Sequence, residues 1–232
     1  MEPIIKEFSD RTSLVKELTK EIGRLLNKGI ATAGRASIAL SGGSTPIALF
    51  EHLSLLDIAW KNVDITLVDE RWVEATEDDS NERLVRHHLL QNKAATANFT
   101  GMKNSAITAG EGEKECEQQL QNISRPFDVS ILGMGGDGHT ASLFPGAQKL
   151  AAATAMDSGR TCMGLAPLTA PHERMSLTLP VTLDSRQLFL HIVGQEKKDV
   201  LNKAQGEGPL EEMPIRFVLQ QQSTPLSVYW AP

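Results

Sequence analysis

Hydrophobic residues along the chain follow two spacings, one typical of helices and one typical of buried strands. Near the N-terminus, Asp10 is a suitable N-cap, Gly29 and Gly34 bracket the predicted helix end, and one apolar stripe consists of Leu14, Val15, Leu18, Ile22, Leu25 and Leu26. Short, mostly apolar segments then predict strands at residues 36–40, 63–68, 127–132, 175–179, 188–193 and 226–230. Helical patterns separate several of these strands.

This alternation predicts an α/β fold, with a Rossmann-like, mostly parallel sheet flanked by helices on both faces. No repeat, low-complexity tract or linker-like segment divides the sequence, so we expect residues 1–232 to form a single domain. Ligands of such sheets bind outside the carboxyl ends of the strands. Four polar or glycine-rich segments follow predicted strands, and we expect them to form one site: residues 41–46, 69–72, 133–139 and 194–197.

The first of these segments, SGGSTP at residues 41–46, connects a strand to a helix. Gly42 and Gly43 allow close approach of the backbone to a ligand, and free N–H groups at a helix start favour an anion, most often phosphate. We expect Thr45 to cap the helix and Pro46 to occupy its first position. The segment lacks the GK[ST] of a Walker loop, and a tight turn that glycine merely permits is the alternative interpretation.

The second segment carries three consecutive charges at residues 69–71. An ionised Asp69 at the end of a buried strand needs a partner or a ligand, and the Arg71 guanidinium suits a phosphate or a developing oxyanion. A surface ion-pair cluster is the alternative. A helix is predicted after this segment, with Asp79 as its N-cap and Glu82 completing a capping box.

The glycines of residues 133–138 match G-x-G-x-x-G, the dinucleotide-binding fingerprint. That fingerprint needs a helix of roughly ten residues, whereas here we expect about two helical turns from His139 before Pro145 ends them. We interpret the segment as a loop that presents Asp137 and His139 to a substrate, because histidine is the commonest general base. A histidine that is merely exposed is the alternative.

Lys197 follows a predicted strand at the same sheet edge as the SGGSTP turn, where it is placed to bind the same phosphate. Arg174, just before the predicted strand at 175–179, is a second candidate of the same kind. A solvated lysine at a helix start is the ordinary alternative for Lys197.

Composition narrows the class of protein. The 41% hydrophobic and 22% charged fractions are ordinary, and a net charge of −6 gives no footprint for nucleic acid. No apolar run approaches the roughly 18 residues of a membrane helix, and the N-terminus is unlike a secretory signal. With only Cys116 and Cys162 and no cysteine–histidine cluster, we expect a cytoplasmic protein without a metal site.

Several motifs together resemble those of the 6-phosphogluconolactonase family, within the glucosamine/galactosamine-6-phosphate isomerase superfamily. The motifs are SGGSTP, DERWV, DSNERLVRHHLL, GMGGDGHTASLFPG, RMSLTLPV and GQEKK, so the similarity extends over nearly the whole chain. The related isomerases carry an asparagine-glutamate-proline run soon after the histidine, where this chain has Leu143, Phe144 and Pro145. They also carry a tyrosine where this chain has Arg71.

The resemblance implies a single sugar-phosphate lactonase domain that hydrolyses 6-phospho-D-glucono-1,5-lactone in the pentose phosphate pathway, with no cofactor, nucleic acid or membrane involved. It implies that His139 is the general base for water, and that Asp137 holds the water, the substrate hydroxyls or the imidazole. Arg71 or the N–H groups of the glycine loop are the candidates for the oxyanion. The implied substrate-binding residues are Gly42, Gly43, Ser44, Thr45, Asp69, Arg71, Gly135, Arg174 and Lys197.

Two other functions remain as alternatives at this point. One is an amino-sugar-phosphate isomerase or deaminase on the same fold, against which the missing glutamate after His139 argues. The other is a sugar-phosphate-binding protein without catalytic activity.

Overall fold

A computed structural model describes residues 2–168 and 170–232 of the chain. The helices in these ranges are α1 (Arg11–Ala33), α2 (Ile47–Ser54), α3 (Asn81–His88), α4 (Ala109–Leu120), α5 (Leu150–Thr154), α6 (Leu179–Leu183), α7 (Gln195–Gln205) and α8 (Ile215–Gln220). The strands are β1 (Ile4–Glu7), β2 (Ala36–Leu40), β3 (Val63–Leu67), β4 (Asp69–Arg71), β5 (Asn98–Phe99), β6 (Val129–Leu132), β7 (Cys162–Leu165), β8 (Arg174–Leu177), β9 (Leu188–Val193) and β10 (Leu226–Ala231). In these two ranges, no helix is long and apolar enough to cross a membrane.

The main sheet confirms the predicted fold class. Within the described ranges its seven strands have the order β1-β10-β9-β6-β2-β3-β5, and every neighbouring pair is parallel. The central strands β2, β3 and β6 are buried along their whole length. This burial includes their polar residues, Ser37, Asp64, Thr66 and Ser130.

Helix α1 begins and ends where its caps require. The Asp10 carboxylate accepts a hydrogen bond from the Ser13 N–H at 2.8 Å, and Gly34 ends the helix with a φ of 77°. Gly29 and Gly34 bracket the helix end as predicted, and Gly29 lies inside the helix against Asp128. A Cβ atom at Gly29 would stand 2.6 Å from Asp128 Oδ1, so this glycine serves close packing of α1 on the start of β6.

A second, antiparallel sheet of order β4-β8-β7 was not predicted from the sequence. The predicted strand at 175–179 lies in it as β8, which begins at Arg174 and ends at Leu177. The charged segment after β3 is its strand β4, and Arg71 there is the direct cross-strand neighbour of Arg174. The second sheet therefore brings together two arginines that are far apart in the sequence.

Glu70 connects β4 to the first turn of α3. Its carboxylate is fully buried and accepts hydrogen bonds from the N–H groups of Arg71, Asn81 and Glu82 at 2.7 Å each, and from the Ser80 hydroxyl at 3.1 Å. Burial raises the pKa of Glu70 to about 7, against these four bonds, which favour the ionised form.

This contact also explains why the predicted capping box of α3 is wrong. The N-cap is Ser80, which accepts from the Arg83 N–H, and not Asp79. The N–H of Glu82 is already bound to Glu70, a carboxylate from a neighbouring strand that local sequence spacing does not reveal.

We expect Glu70→Ala to lower the free energy of unfolding by about 3 kcal/mol or more, because it leaves several buried donors without an acceptor. Urea denaturation followed by circular dichroism measures this change. Glu211→Ala, which removes an exposed carboxylate, is the matched control and should change stability by less than about 0.5 kcal/mol. Equal losses in the two variants would contradict the connecting role of Glu70.

Candidate active site

A cavity of about 280 Å³ lies beyond the carboxyl ends of β2, β6 and β9, where the four polar segments meet. Asp137 is not among its lining residues but contacts His139, which is. The predicted binding residues all line the cavity: Gly42, Gly43, Ser44, Thr45, Asp69, Arg71, Gly135, Arg174 and Lys197.

The turn between β2 and α2 brings its backbone close to the Asn81 side chain. A Cβ atom on Gly42 would stand 1.9 Å from Asn81 Oδ1, and Gly43 has a φ of 91°. The N-cap of α2 is Pro46 and not Thr45, so the prediction is wrong by one position. The Pro46 carbonyl accepts from the Phe50 N–H at 2.9 Å, and Thr45 lines the cavity instead of capping the helix.

Arg71 and Arg174 face the cavity side by side from β4 and β8. Arg71 Nη1 is held by the Asp79 carbonyl at 2.7 Å and by Asn81 Oδ1 at 3.0 Å. Arg174 is only 6% exposed, and its Nε and Nη1 have no hydrogen-bond partner in the described ranges. Burial and then the charge of Arg71 lower the pKa of Arg174. Two like charges placed directly opposite each other destabilise a ladder, so this pair favours a bound anion.

A third cation completes the basic side of the cavity. Lys197 lies in the first turn of α7, and a Cβ atom on Gly136 would stand 4.0 Å from its Nζ. Among the described lining residues Asp69 is the only carboxylate, and its Oδ2 accepts a 2.6 Å hydrogen bond from Ser142 Oγ. Positive charge therefore exceeds negative charge locally, although the whole chain is acidic.

Asp137 and His139 form a hydrogen-bonded pair at the edge of the cavity. Asp137 Oδ1 lies 2.6 Å from His139 Nδ1 and also accepts the His139 backbone N–H at 3.0 Å. Partial burial alone raises the pKa of Asp137, but these bonds from His139 lower it to about 2. An ionised carboxylate only accepts hydrogen bonds, so the proton is assigned to Nδ1 and Nε2 keeps its lone pair. This is the arrangement of a general base.

Two neighbours fix the position of the imidazole. The Phe144 ring stacks on it with centroids 4.1 Å apart and planes at 28°. Gly135 lies so close that a Cβ atom there would stand 2.1 Å from His139 Nδ1. The glycine at this position is therefore required by the packing of the histidine rather than by a dinucleotide.

The short helix predicted after His139 is wrong, because residues 139–146 form successive turns. Gly138 with a φ of 80° and Ala141 with a φ of 47° both leave the right-handed helical region. Without a helix at this position, the segment lacks the helix N-terminus that binds pyrophosphate in dinucleotide-binding folds.

Lining residues that were not predicted as site residues include Asn81, Phe144 and His191. Asn81 and Phe144 belong to quoted motifs but carried no spacing signal of their own. His191 sits inside the apolar strand β9, and the sequence gives a buried histidine no visible function. It is 4% exposed, and burial lowers its pKa to about 4.

We expect His191 to contribute to acid sensitivity. Its folded-state pKa lies below the ordinary value of 6.5, so the unfolded chain takes up the proton first. This contribution to stability is complete above about pH 6.5 and is lost as the pH falls towards 4, by about 3 kcal/mol in total. Urea denaturation at several pH values should show a smaller acid-induced loss in His191→Gln than in the wild type. Parallel pH curves would refute this role.

We expect inorganic phosphate to raise the melting temperature through the cationic side of the cavity, by mass action. Arg174→Met keeps the aliphatic stem but removes the charge, and should weaken phosphate binding about 10- to 100-fold. Thermal unfolding over a phosphate titration measures both effects. Arg24→Met, at an exposed arginine on α1, serves as the control and should keep the wild-type affinity. If both variants respond like the wild type, Arg174 is not an anion ligand.

Comparisons with known proteins agree with this geometry. The model of the family "Glucosamine-6-phosphate isomerases/6-phosphogluconolactonase" matches residues 9–230. A 6-phosphogluconolactonase of Rhizobium meliloti is 40% identical over 97% of both chains, and one of Neisseria meningitidis is 39% identical over 97% of both. A crystal structure of a 6-phosphogluconolactonase from Shewanella baltica is 45% identical, with a TM-score of 0.98 over 100% of this chain and 98% of that one. The chain belongs to the family of glucosamine-6-phosphate isomerases and 6-phosphogluconolactonases.

Proposed function

We propose that the protein hydrolyses 6-phospho-D-glucono-1,5-lactone to 6-phospho-D-gluconate, in the oxidative pentose phosphate pathway. The observation that carries the proposal is a histidine base, held by Asp137, beside a cavity with three cations from separate segments. The names of the relatives support it, since those at 35–40% identity are 6-phosphogluconolactonases. Two free, buried cysteines suit the reducing cytoplasm in which we place the reaction.

The 6-phosphate of the substrate binds at the strand-to-helix turn. The backbone N–H groups of residues 42–45 and the Thr45 hydroxyl are its neutral donors, and Arg174 and Lys197 supply positive charge. The unpaired Nε and Nη1 of Arg174 support this assignment, because a buried guanidinium without an acceptor is costly until an anion arrives. Anchoring the phosphate orients the lactone carbonyl against His139 and converts binding energy into a favourable reacting geometry.

His139 then activates water. Its Nε2 takes a proton from a water molecule while the water oxygen forms a bond to the lactone carbonyl carbon. Asp137 holds the imidazole through Nδ1 and stabilises the imidazolium that results. When the bond between that carbon and the ring oxygen breaks, Nε2 returns the proton to the ring oxygen. The new carboxylic acid ionises and releases one proton to the solvent, so each turnover acidifies the medium.

Arg71 is the donor that we assign to the oxyanion of the tetrahedral intermediate. Two N–H groups of the competing glycine loop are already used, since Gly135 donates to the His139 carbonyl and Gly138 donates to the Gly135 carbonyl. Within the described ranges the side-chain hydrogen bonds of Arg71 all come from Nη1, which fixes its guanidinium and leaves Nη2 and Nε as donors.

Residues 143–145 of this chain contain no counterpart of the glutamate that the isomerases carry soon after the histidine, which argues against the isomerase alternative. Phe144 stacks on the imidazole in the stretch where the isomerases carry glutamate, and the cavity carboxylate of Asp69 is bound to Ser142. The similarity to a monomeric glucosamine-6-phosphate deaminase, at 15% identity and a TM-score of 0.80, is a likeness of fold alone.

Proton release from freshly prepared 6-phosphogluconolactone in weak buffer tests the proposal. We expect the wild type to exceed spontaneous opening, and His139→Ala to lose about 100- to 10,000-fold in kcat. Asp137→Asn should retain more activity than His139→Ala, because the base remains but its tautomer and orientation are no longer fixed. His87→Ala, at an exposed histidine on α3, should keep the wild-type rate.

Each other outcome identifies a different error. If His139→Ala has wild-type activity, His139 is not the general base, but the lactonase activity itself is retained. A wild type no faster than the spontaneous reaction refutes the lactonase; ammonia release from glucosamine 6-phosphate would then indicate the isomerase, and its absence a binding protein.

A further inference from the structure

His191 is a buried polar residue at the cavity. It belongs neither to the residues assigned to the phosphate nor to the hydrogen-bonded pair of Asp137 and His139. It lines the cavity, and both of its ring nitrogens are inaccessible to solvent and without a hydrogen-bond partner in the described ranges. An imidazole in this state lacks both a donor and an acceptor contact, and buried polar groups are rarely left so in native proteins. A polar group of a bound ligand would supply the hydrogen-bond partner that the imidazole lacks.

The sheet register places His191 beside the mouth of the glycine loop. Leu132 of β6 pairs with Leu190 of β9, so the next position along each strand brings Gly133 next to His191. Gly133 has no side chain, and it lines the same cavity. The carboxyl end of β9 then leads directly into Gly194 and α7, which carries Lys197. His191 thus lies between the loop that holds His139 and the lysine assigned to the phosphate.

The chemistry of a neutral imidazole distinguishes it from these neighbours. Arg71, Arg174 and Lys197 are donors only, and they suit an anion. A neutral imidazole offers one donor and one acceptor on opposite edges of the ring, and either nitrogen can bond a hydroxyl group, because a hydroxyl both donates and accepts. The depressed pKa of His191 agrees with a neutral ring at neutral pH.

We propose that His191 is a substrate-binding residue that forms a hydrogen bond with a hydroxyl group of the sugar, distinct from the residues that bind its phosphate. This assignment rests on the proposed function in so far as the ligand is a sugar phosphate, but it does not depend on catalysis. Because a site built to bond a hydroxyl discriminates strongly against ligands that lack it, His191 contributes to selection of a polyhydroxylated chain over a bare phosphate.

Calorimetric titration with two probes tests the assignment. For 6-phosphogluconate we expect His191→Leu to raise Kd about 10- to 100-fold, because the hydroxyl loses its partner. For inorganic phosphate, which has no sugar hydroxyl, we expect no change. His191→Gln keeps a donor and an acceptor and should recover most of the affinity for 6-phosphogluconate. His52→Leu, at an exposed histidine outside the cavity, is the matched control.

Unchanged affinity of His191→Leu for both probes would overturn the proposal, and an equal loss for both would assign His191 to the phosphate or to the pocket's packing. If His191→Leu does not fold, NMR of the wild-type ring keeps the test decisive. Saturating 6-phosphogluconate should shift the His191 ring nitrogens whereas phosphate should not, and absence of that difference counts against the proposal. Absence of lactonase activity in the wild type would refute the proposed reaction, but it would leave this binding result intact.

Discussion

The Glu70 carboxylate is the contact on which the geometry of the site depends. It joins a three-residue strand to the first turn of α3, and so fixes Arg71 and Asn81 relative to each other. Asn81 in turn contacts the Arg71 guanidinium, donates to the Asp69 carbonyl and lies against Gly42. One buried acid thus positions a cation, an amide and the turn between β2 and α2, although it lies outside the cavity lining itself.

The main sheet was predictable in its strands β2, β3, β6, β9 and β10, because each is a short, mostly apolar segment, whereas the exposed strand β1 and the two-residue strand β5 were not predicted. The small sheet was not predictable, because β4 has only three residues and its partner β8 comes about a hundred residues later in the sequence. Nothing local to Asp69 or Arg71 signals antiparallel pairing. The starts of α1, α2 and α3 were predicted to within one residue, and the errors at Thr45 and Asp79 arose where a proline or a distant carboxylate lies at the helix start.

The site could be predicted as far as topology brings strand ends together. Parallel strands place their carboxyl ends at one edge, so the four segments had to meet, and their charged residues line one cavity. Residues that act through packing gave no such signal. Phe144 looks like an ordinary core residue until its ring is seen on the imidazole, and His191 is concealed by the apolar pattern of its strand.

The place of β10 in the main sheet has a consequence for synthesis of the chain. This strand pairs with β1 on one side and β9 on the other, so the first described strand has no partner until residues 226–231 exist. During translation, the edge of β9 that later pairs with β10 stays uncovered although the strands before it are already made. A ribosome that pauses before residue 226 therefore holds a chain whose main sheet has an open edge at β9, and an open edge can pair with another chain.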